Sequence, residues 1–167
     1  MPRRFLDIRP TNLPANGLVS YKGGYPIITF DIAEQDAFLI GNSIRVCGDL
    51  VITTDGTTAP TTADTLAMDS RLGVFAIVDT LTLSSTKTKQ TLESIRNYAR
   101  FMSSYLPFTA SNQDLIGHLG EVALTLPSDD AQREGVVNMG KTFANEFSVY
   151  FPTGLLQNGK PIPLSTD

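Results

Sequence analysis

The stretch Ser43–Thr53, which reads SIRVCGDLVIT, decides the fold that the sequence predicts. Its apolar residues recur at every second position, which is the spacing of a β-strand with one half-buried face. A register slip of one residue would exchange the two faces, so the pattern specifies the register strongly. One face carries Ile44, Val46, Gly48, Leu50 and Ile52, and the other carries Arg45, Cys47, Asp49, Val51 and Thr53.

Further strand-like segments lie on both sides of this stretch. Residues 10–24 are rich in turn formers and predict an extended entry arm. Residues 36–41 are predicted to form a connection with an apolar patch at 38–40. Residues 154–164 are predicted to form an apolar C-terminal segment without a final strand. Alternation predicts strands at Ile28–Ile32, Val74–Leu83, Val122–Leu126 and Phe147–Phe151, the last of them ended by Pro152.

A single amphipathic helix is predicted from about residue 88 to residue 106. Pro107 is expected to end it, because proline has no N–H and its ring clashes with the preceding turn. Tyr98, Phe101 and Tyr105 flank the apolar stripe and widen it. The stripe itself consists of Leu92, Ile95, Ala99, Met102 and Leu106, which recur at helical spacing.

These elements predict a mainly β fold, an antiparallel jelly-roll-type sandwich with one amphipathic helix inserted (about 88–106). At least five strand candidates occur without the β-α-β rhythm that a parallel sheet requires. Residues 1–24 are expected to form an extended N-terminal arm. Residues 25–167 are expected to form a single jelly-roll-like domain. Three alternatives stay open for its C-terminal end: the domain is incomplete there, neighbouring chains complete its sheet, or the chain is a different single-roll capsid component.

Composition limits the classes of partner. The chain has 167 residues, 41% of them hydrophobic and 18% charged, which suits one globular domain. A net charge of −4 gives no general reason to bind nucleic acid. Weak phosphate contact is expected only through Arg3, Arg4 and Arg9, for which a solvated terminus is the favoured interpretation. No apolar run approaches the ~18 residues of a membrane span.

The threonine-rich segment Thr53–Thr65 is predicted to be an exposed loop. It holds seven threonines in thirteen residues and almost nothing apolar, so it cannot bury enough surface to join a core. A loop of this kind between two strands is a common place for a surface-displayed insertion. Cys47, the only cysteine, permits no intrachain disulfide and is interpreted as a small buried thiol.

The one enzyme-like motif is Gly135–Thr142, GVVNMGKT, which matches the phosphate-binding loop pattern G-x-x-x-x-G-K-[ST]. That loop needs a buried strand before it and a helix after it, so that N–H groups face the phosphates. Residues 128–134 are instead polar and acidic, and residues 143–151 end in strand alternation. The match is therefore interpreted as accidental. Nucleotide hydrolysis by Lys141 and Thr142 remains the least favoured hypothesis.

No other constellation supports catalysis. His118 is the only histidine, which excludes a His-His metal pair, and its apolar surroundings are typical of a structural or surface histidine. Asp79 interrupts an apolar face and is interpreted as a structural carboxylate bonded to backbone amides. The sequence thus predicts no enzyme, no cofactor, and no catalytic, cofactor-binding or metal-binding residue.

The order of the segments resembles the N-terminal part of jelly-roll major capsid proteins of the virophage and polinton-like virus type, in the double jelly-roll lineage. Their subunits contain two jelly rolls and several hundred residues, which this chain does not match. The segments that carry the resemblance are Leu18–Ile32 (LVSYKGGYPIITFDI), Ser43–Leu50 (SIRVCGDL), Arg71–Asp79 (RLGVFAIVD), Leu92–Tyr98 (LESIRNY, read as a helical E-x-I-x-N-Y motif), Phe147–Phe151, Gly154–Leu156 and Lys160–Leu164.

The resemblance implies a viral capsid structural protein that self-assembles into an icosahedral shell. Its expected partners are copies of itself in trimers, other capsid proteins and a host receptor met by loops such as Thr53–Thr65, and its expected location is the virion. The alternatives are a single-jelly-roll penton or minor capsid protein, or a β-sandwich module that binds a glycan or receptor.

Overall fold

A computed structural model describes residues 3–15, 17–20, 24, 26–32, 37–51, 69, 71–110 and 144–164. These residues form mostly β-structure with a single α-helix, which confirms a mainly β fold. In chain order the elements are β1 (Phe38–Leu39), β2 (Arg45–Val51), a 3-10 helix (Gly73–Ile77), β3 (Thr80–Ser84), β4 (Thr91–Arg96), α1 (Tyr98–Thr109), β5 (Ala144–Tyr150) and β6 (Ile162–Pro163).

The strands form three antiparallel pairs, β1 with β6, β2 with β5, and β3 with β4. The first two pairs join the first third of the chain to its last 24 residues, and β3–β4 is a local hairpin. The expectation of antiparallel pairing is therefore confirmed for the described strands. The predicted strand at 122–126 and the loop at 53–65 lie outside the described residues.

The β2–β5 ribbon confirms the alternation read from the sequence. Seven residue pairs run from Arg45 opposite Tyr150 to Val51 opposite Ala144. Gly48 lies opposite Phe147, and a Cβ atom on Gly48 would stand 3.0 Å from the Phe147 ring. The glycine thus leaves room for the aromatic ring to cover the inner face of the ribbon.

The helix predicted over 88–106 is wrong in its first half, because residues 91–96 form strand β4. Lys89 (φ 57°) turns the hairpin, and Asn97 (φ 53°) separates the strand from the helix with a second left-handed residue. Pairing with β3 supplies hydrogen bonds that an isolated helical segment would have made internally. The E-x-I-x-N-Y motif consequently spans a strand end and a helix start.

The helix also continues past Pro107, contrary to prediction, and ends at Thr109. Proline removes only one N–H from this last turn. The turn is closed by the Ala110 N–H, which donates to the Leu106 carbonyl at 2.8 Å, and by the Thr109 hydroxyl, which donates to the Tyr105 carbonyl at 3.0 Å.

Three further strand assignments need correction. Gly73–Ile77 forms a 3-10 helix in place of the first half of the predicted strand at Val74–Leu83, and pairing begins only at Thr80. Residues 28–32 belong to no strand pair among the described residues. Conversely, two short strands form where the sequence predicted none: β1, in the predicted connection at 38–40, pairs with β6, in the C-terminal segment at 154–164.

The core lies between one face of α1, the 3-10 helix and β5. Phe151 meets Phe75 edge to face at 5.6 Å and contacts the Tyr98 ring at 5.7 Å. The three buried residues of α1 recur every fourth position and form one stripe, and Ala99, Phe101 and Tyr105 pack partly buried beside it. The buried apolar residues are Leu72, Val74, Phe75, Tyr98, Met102, Leu106 and Val149.

Candidate functional site

The surface of the described residues is unusually apolar in one region, the N-terminal apolar segment, which we define as residues 5–40. Phe5 is 98% exposed and Ile27 is 79% exposed. A concentration of exposed apolar side chains in one part of a chain is typical of interaction sites, whereas single exposed residues are not. Twelve large apolar side chains are exposed among the described residues, and nine lie in this segment: Phe5, Leu6, Leu13, Leu18, Ile27, Ile28, Phe30, Phe38 and Ile40.

Asn12 and Thr11 tie residues 27–29 to the N-terminal part of the chain by hydrogen bonds. The Asn12 side-chain amide donates to the Ile27 carbonyl at 2.6 Å and accepts from the Thr29 N–H at 2.8 Å, and the Thr11 N–H donates to the Thr29 carbonyl at 2.8 Å. The Asn12 amide therefore pairs with backbone groups on both sides of Ile28, as a backbone peptide group could. This bracing fixes a segment whose apolar side chains remain exposed.

Glu93, on β4, anchors the turn that follows β5. Its two carboxylate oxygens accept the backbone N–H groups of Gly154 at 2.8 Å and Leu155 at 3.0 Å. Burial alone would raise the pKa of Glu93, but hydrogen bonds from Leu155, Gly154 and Thr153 outweigh it and hold the pKa below its usual value. The carboxylate is thus a structural anchor with its acceptors in use.

Tyr98 is fully buried at the start of α1 and links three parts of the chain. Its N–H donates to the Asp79 carbonyl at 2.7 Å, and its hydroxyl donates to the Pro152 carbonyl at 3.0 Å. Burial raises the pKa of this phenol, with smaller contributions from Tyr105 and Glu93. The hydroxyl therefore stays protonated and serves as a hydrogen-bond donor.

Of the residues that the sequence analysis weighed as catalytic or reactive, the structure describes Asp79 and Cys47. Asp79 is exposed, and its carboxylate accepts the Thr80 hydroxyl at 3.0 Å in place of the expected backbone amides. Cys47 is exposed, against the expectation of a buried thiol, because no second layer of described residues covers its side of the ribbon. His118, Lys141 and Thr142 lie outside the described residues. Strand β5 nevertheless begins at Ala144, where a phosphate-binding loop would continue as a helix.

An open depression of about 380 Å³ lies beside the N-terminus of α1. Asp79, Asn97 and Arg100 supply its polar groups, and Ala76–Val78 and Ala99 line the rest. Nowhere in the described ranges do three His, Cys, Asp or Glu side chains gather as metal ligands would. The N-terminal apolar segment is therefore the stronger candidate for a functional surface.

Sequence reasoning missed the structural roles of Asn12 and Glu93. Asn12 gave only a turn signal, and its two bonds depend on residues 15 and 17 positions away. Glu93 reads as a helix-surface carboxylate, and its partners lie 61 and 62 positions away. No local sequence pattern predicts either contact.

Comparisons with known proteins found no matching family model, no similar curated protein and no similar solved structure. No helix in the described part of the chain combines the length and hydrophobicity needed to cross a membrane.

Proposed function

We propose that this chain is a viral capsid structural protein of the jelly-roll type, which assembles with copies of itself into an icosahedral shell. The single observation that carries the proposal is the N-terminal apolar segment, where nine large apolar side chains are exposed. Leaving this much apolar surface in water costs about 25 cal/mol for each Å² that a partner could bury. A partner surface would cover the segment, and trimers of the chain are the expected assembly.

The strand pairing supports the same proposal. Each described sheet has only two strands, and an isolated two-stranded sheet is at best marginally stable in water. Unpaired strand edges invite pairing with another chain. In the proposed shell, neighbouring copies cover these edges, and residues 26–32 lie at a contact between copies.

The first test is the mass in solution over a concentration series, by light scattering coupled to size exclusion, with negative-stain imaging of the same fractions. Trimers or shell-like particles are the expected result. A monomer whose mass and melting temperature do not change with concentration would reject the proposal.

A variant pair makes this test specific to the N-terminal apolar segment. Ile27→Ser/Phe30→Ser removes two of its exposed apolar side chains and is expected to shift the mass toward the monomer. Phe108→Ser is the matched control, because Phe108 is 90% exposed on α1 and lies outside the segment. Equal assembly of the two variants would show that the segment makes no contact.

A second candidate function, binding of a glycan or receptor, is favoured by the aromatic side of α1. The Phe101 and Tyr105 rings stack at 5.6 Å, and the Tyr105 hydroxyl accepts the Gln157 amide at 2.6 Å. Aromatic rings beside an amide suit a sugar, which presents apolar faces and hydroxyls. A glycan panel tests this function, with Gln157→Ala expected to weaken any binding, and binding to no glycan would reject it.

A further inference from the structure

The outward side of the β2–β5 ribbon carries an ordered set of polar and aromatic side chains, which we call the outer ribbon face. All are exposed except Ser148, which is half-buried. The strand register sets them in three cross-strand rows, so their relative positions follow from the backbone pairing. The rows are Arg45 with Tyr150, Cys47 with Ser148, and Asp49 with Glu146.

Charge is separated along this face. At one end the Arg45 guanidinium lies over the Tyr150 ring, 5.1 Å from its centroid. At the other end Asp49 and Glu146 are directly opposite each other, an arrangement of like charges that destabilises an antiparallel pair. The two ends are about 14 Å apart, since four residues of strand rise about 3.4 Å each. A cation from outside the ribbon would relieve the repulsion between Asp49 and Glu146.

We propose that the outer ribbon face is a two-fold contact between two copies of this chain. The two-fold axis lies between the facing ribbons and crosses the strands at the central row of Cys47 and Ser148. This operation places Arg45 opposite the partner's Asp49 and Tyr150 opposite the partner's Glu146. The guanidinium and the phenol hydroxyl are donors, and both carboxylates are acceptors, so each row meets its complement.

The choice of a second copy as the occupant follows from this self-complementarity and rests on the proposed function of self-assembly. A partner of uniform charge would match one end of the face and oppose the other. Arginine and tyrosine are also enriched in protein interfaces, where carboxylates without a partner are depleted. The face supplies both the donors and the acceptors that its own copy requires.

The contact is expected to be weak by itself. Its six side chains are far fewer than the roughly 20–30 residues per side of a stable interface. Dimers should therefore depend on concentration and decrease at high salt, because screening weakens exposed ion pairs. In a shell, several weak contacts on each copy act together, and the assembly is tighter than any single contact.

Cross-linking through Cys47 tests the geometry directly. Cys47 is the only cysteine, and the proposed axis brings it next to the partner's Cys47. A short bifunctional maleimide added to the full chain should therefore give a covalent dimer. The matched control is Cys47→Ser/Ser94→Cys, since Ser94 is exposed on β4 with Thr82 opposite at 3.3 Å, as Cys47 is with Ser148 at 3.1 Å. Equal yields for the two proteins would overturn the proposal.

Charge-reversal variants distinguish the loss of this contact from a defect in folding. Arg45→Glu makes the face acidic throughout, and Asp49→Lys/Glu146→Lys makes it basic throughout. Each variant alone should cross-link about tenfold less than the parent, because like charges then face each other across the contact. An equimolar mixture should restore the yield as a mixed dimer, which a size tag on one variant identifies. A variant that fails to fold cannot be rescued in this way.

Two results would overturn the inference, unchanged cross-linking of the single variants and a mixture that gives no mixed dimer. If particles or trimers form while these results hold, the outer ribbon face is rejected and the proposed capsid function stands. If mixed dimers form but no larger assembly does, the two-fold contact stands and the capsid function is rejected.

Discussion

The carboxylate of Glu93 accepts a hydrogen bond from the backbone N–H of Leu155 at 3.0 Å, and thereby ties the β3–β4 hairpin to the turn after β5. The neighbouring Gly154 N–H donates to the other carboxylate oxygen at 2.8 Å. Two parts of the chain that are 62 positions apart are thus joined by one side chain. Removing this carboxylate should therefore lower the free energy of unfolding of the whole fold.

Glu93→Gln is expected to lower the free energy of unfolding by about 1–2 kcal/mol, since the amide loses the charge and one acceptor while partial solvent access limits the loss. Urea denaturation followed by circular dichroism measures it. Glu146→Gln is the control. It should leave stability unchanged or raise it slightly, because Glu146 is exposed opposite Asp49. Equal losses for the two variants would contradict the anchor role.

Stability should fall in acid because the pKa of Glu93 is lower in the folded protein than its ordinary value of 4.5. A carboxyl with a lowered folded-state pKa contributes stability that is fully present above the unfolded-state value. This contribution is lost as the pH falls below about 4.5 toward the folded-state pKa. Melting temperatures measured from pH 6 to pH 3 should fall less steeply for Glu93→Gln than for the parent, and parallel curves would refute this origin.

Tyr98→Phe is expected to lower the free energy of unfolding by about 1–2 kcal/mol, because it removes the donor to the Pro152 carbonyl and keeps the ring packing. Thermal unfolding is a sufficient measurement. Tyr150→Phe removes an exposed hydroxyl at the end of β5 and should change stability by no more than about 0.5 kcal/mol. A loss for Tyr150→Phe as large as that for Tyr98→Phe would mean that the Pro152 bond contributes nothing specific.

Asn12→Ala should accelerate hydrogen exchange at the Thr29 amide, because it removes the acceptor of that N–H. Asn12→Asp is the informative comparison, since a carboxylate retains the acceptor and loses the donor to Ile27. Exchange at Thr29 should stay slow in Asn12→Asp, as read by mass spectrometry or NMR. Fast exchange in the parent protein would show that Asn12 does not brace residues 27–29.

Gly41→Ala is expected to destabilise the protein by about 1–3 kcal/mol, the usual range for overpacking. A Cβ atom at Gly41 would overlap the backbone carbonyl oxygen of Asn158, which cannot rotate away as a side chain could. Gly159→Ala is the matched control, because nothing lies within 4 Å of the added atom. Chemical denaturation of both variants should therefore separate them clearly.

The strand period was predictable where a segment has two distinct faces. In β2 the alternation from Arg45 to Leu50 fixed both the element and its exposed side, and Phe147–Tyr150 did the same for β5. The span 88–106 was not predictable in this way, because Leu92 and Ile95 fit a helical stripe as well as a strand. Leu92 lies at a register irregularity in β4 and is exposed, so its helical spacing with Ile95 is a coincidence.

The candidate site was predictable only in part. The sequence located an N-terminal arm and an apolar strand-like segment at 28–32, and it gave no sign that both remain exposed. It also placed Cys47 on the polar side of its strand but predicted a buried thiol, which is wrong because Cys47 is exposed. Exposure depends on whether another layer covers a face, and that layer comes from distant parts of the chain.

By itself, the sequence determined a mainly β antiparallel chain with one helix, because side-chain periodicity acts over a few residues. Only the tertiary structure decided that residues 91–96 are a strand and that Glu93 anchors the turn at 154–155. It alone also set Arg45 and the Asp49–Glu146 pair at opposite ends of one face. These features require hydrogen bonds and strand pairs between residues up to about a hundred positions apart, and the energy of such contacts leaves no local pattern in the sequence.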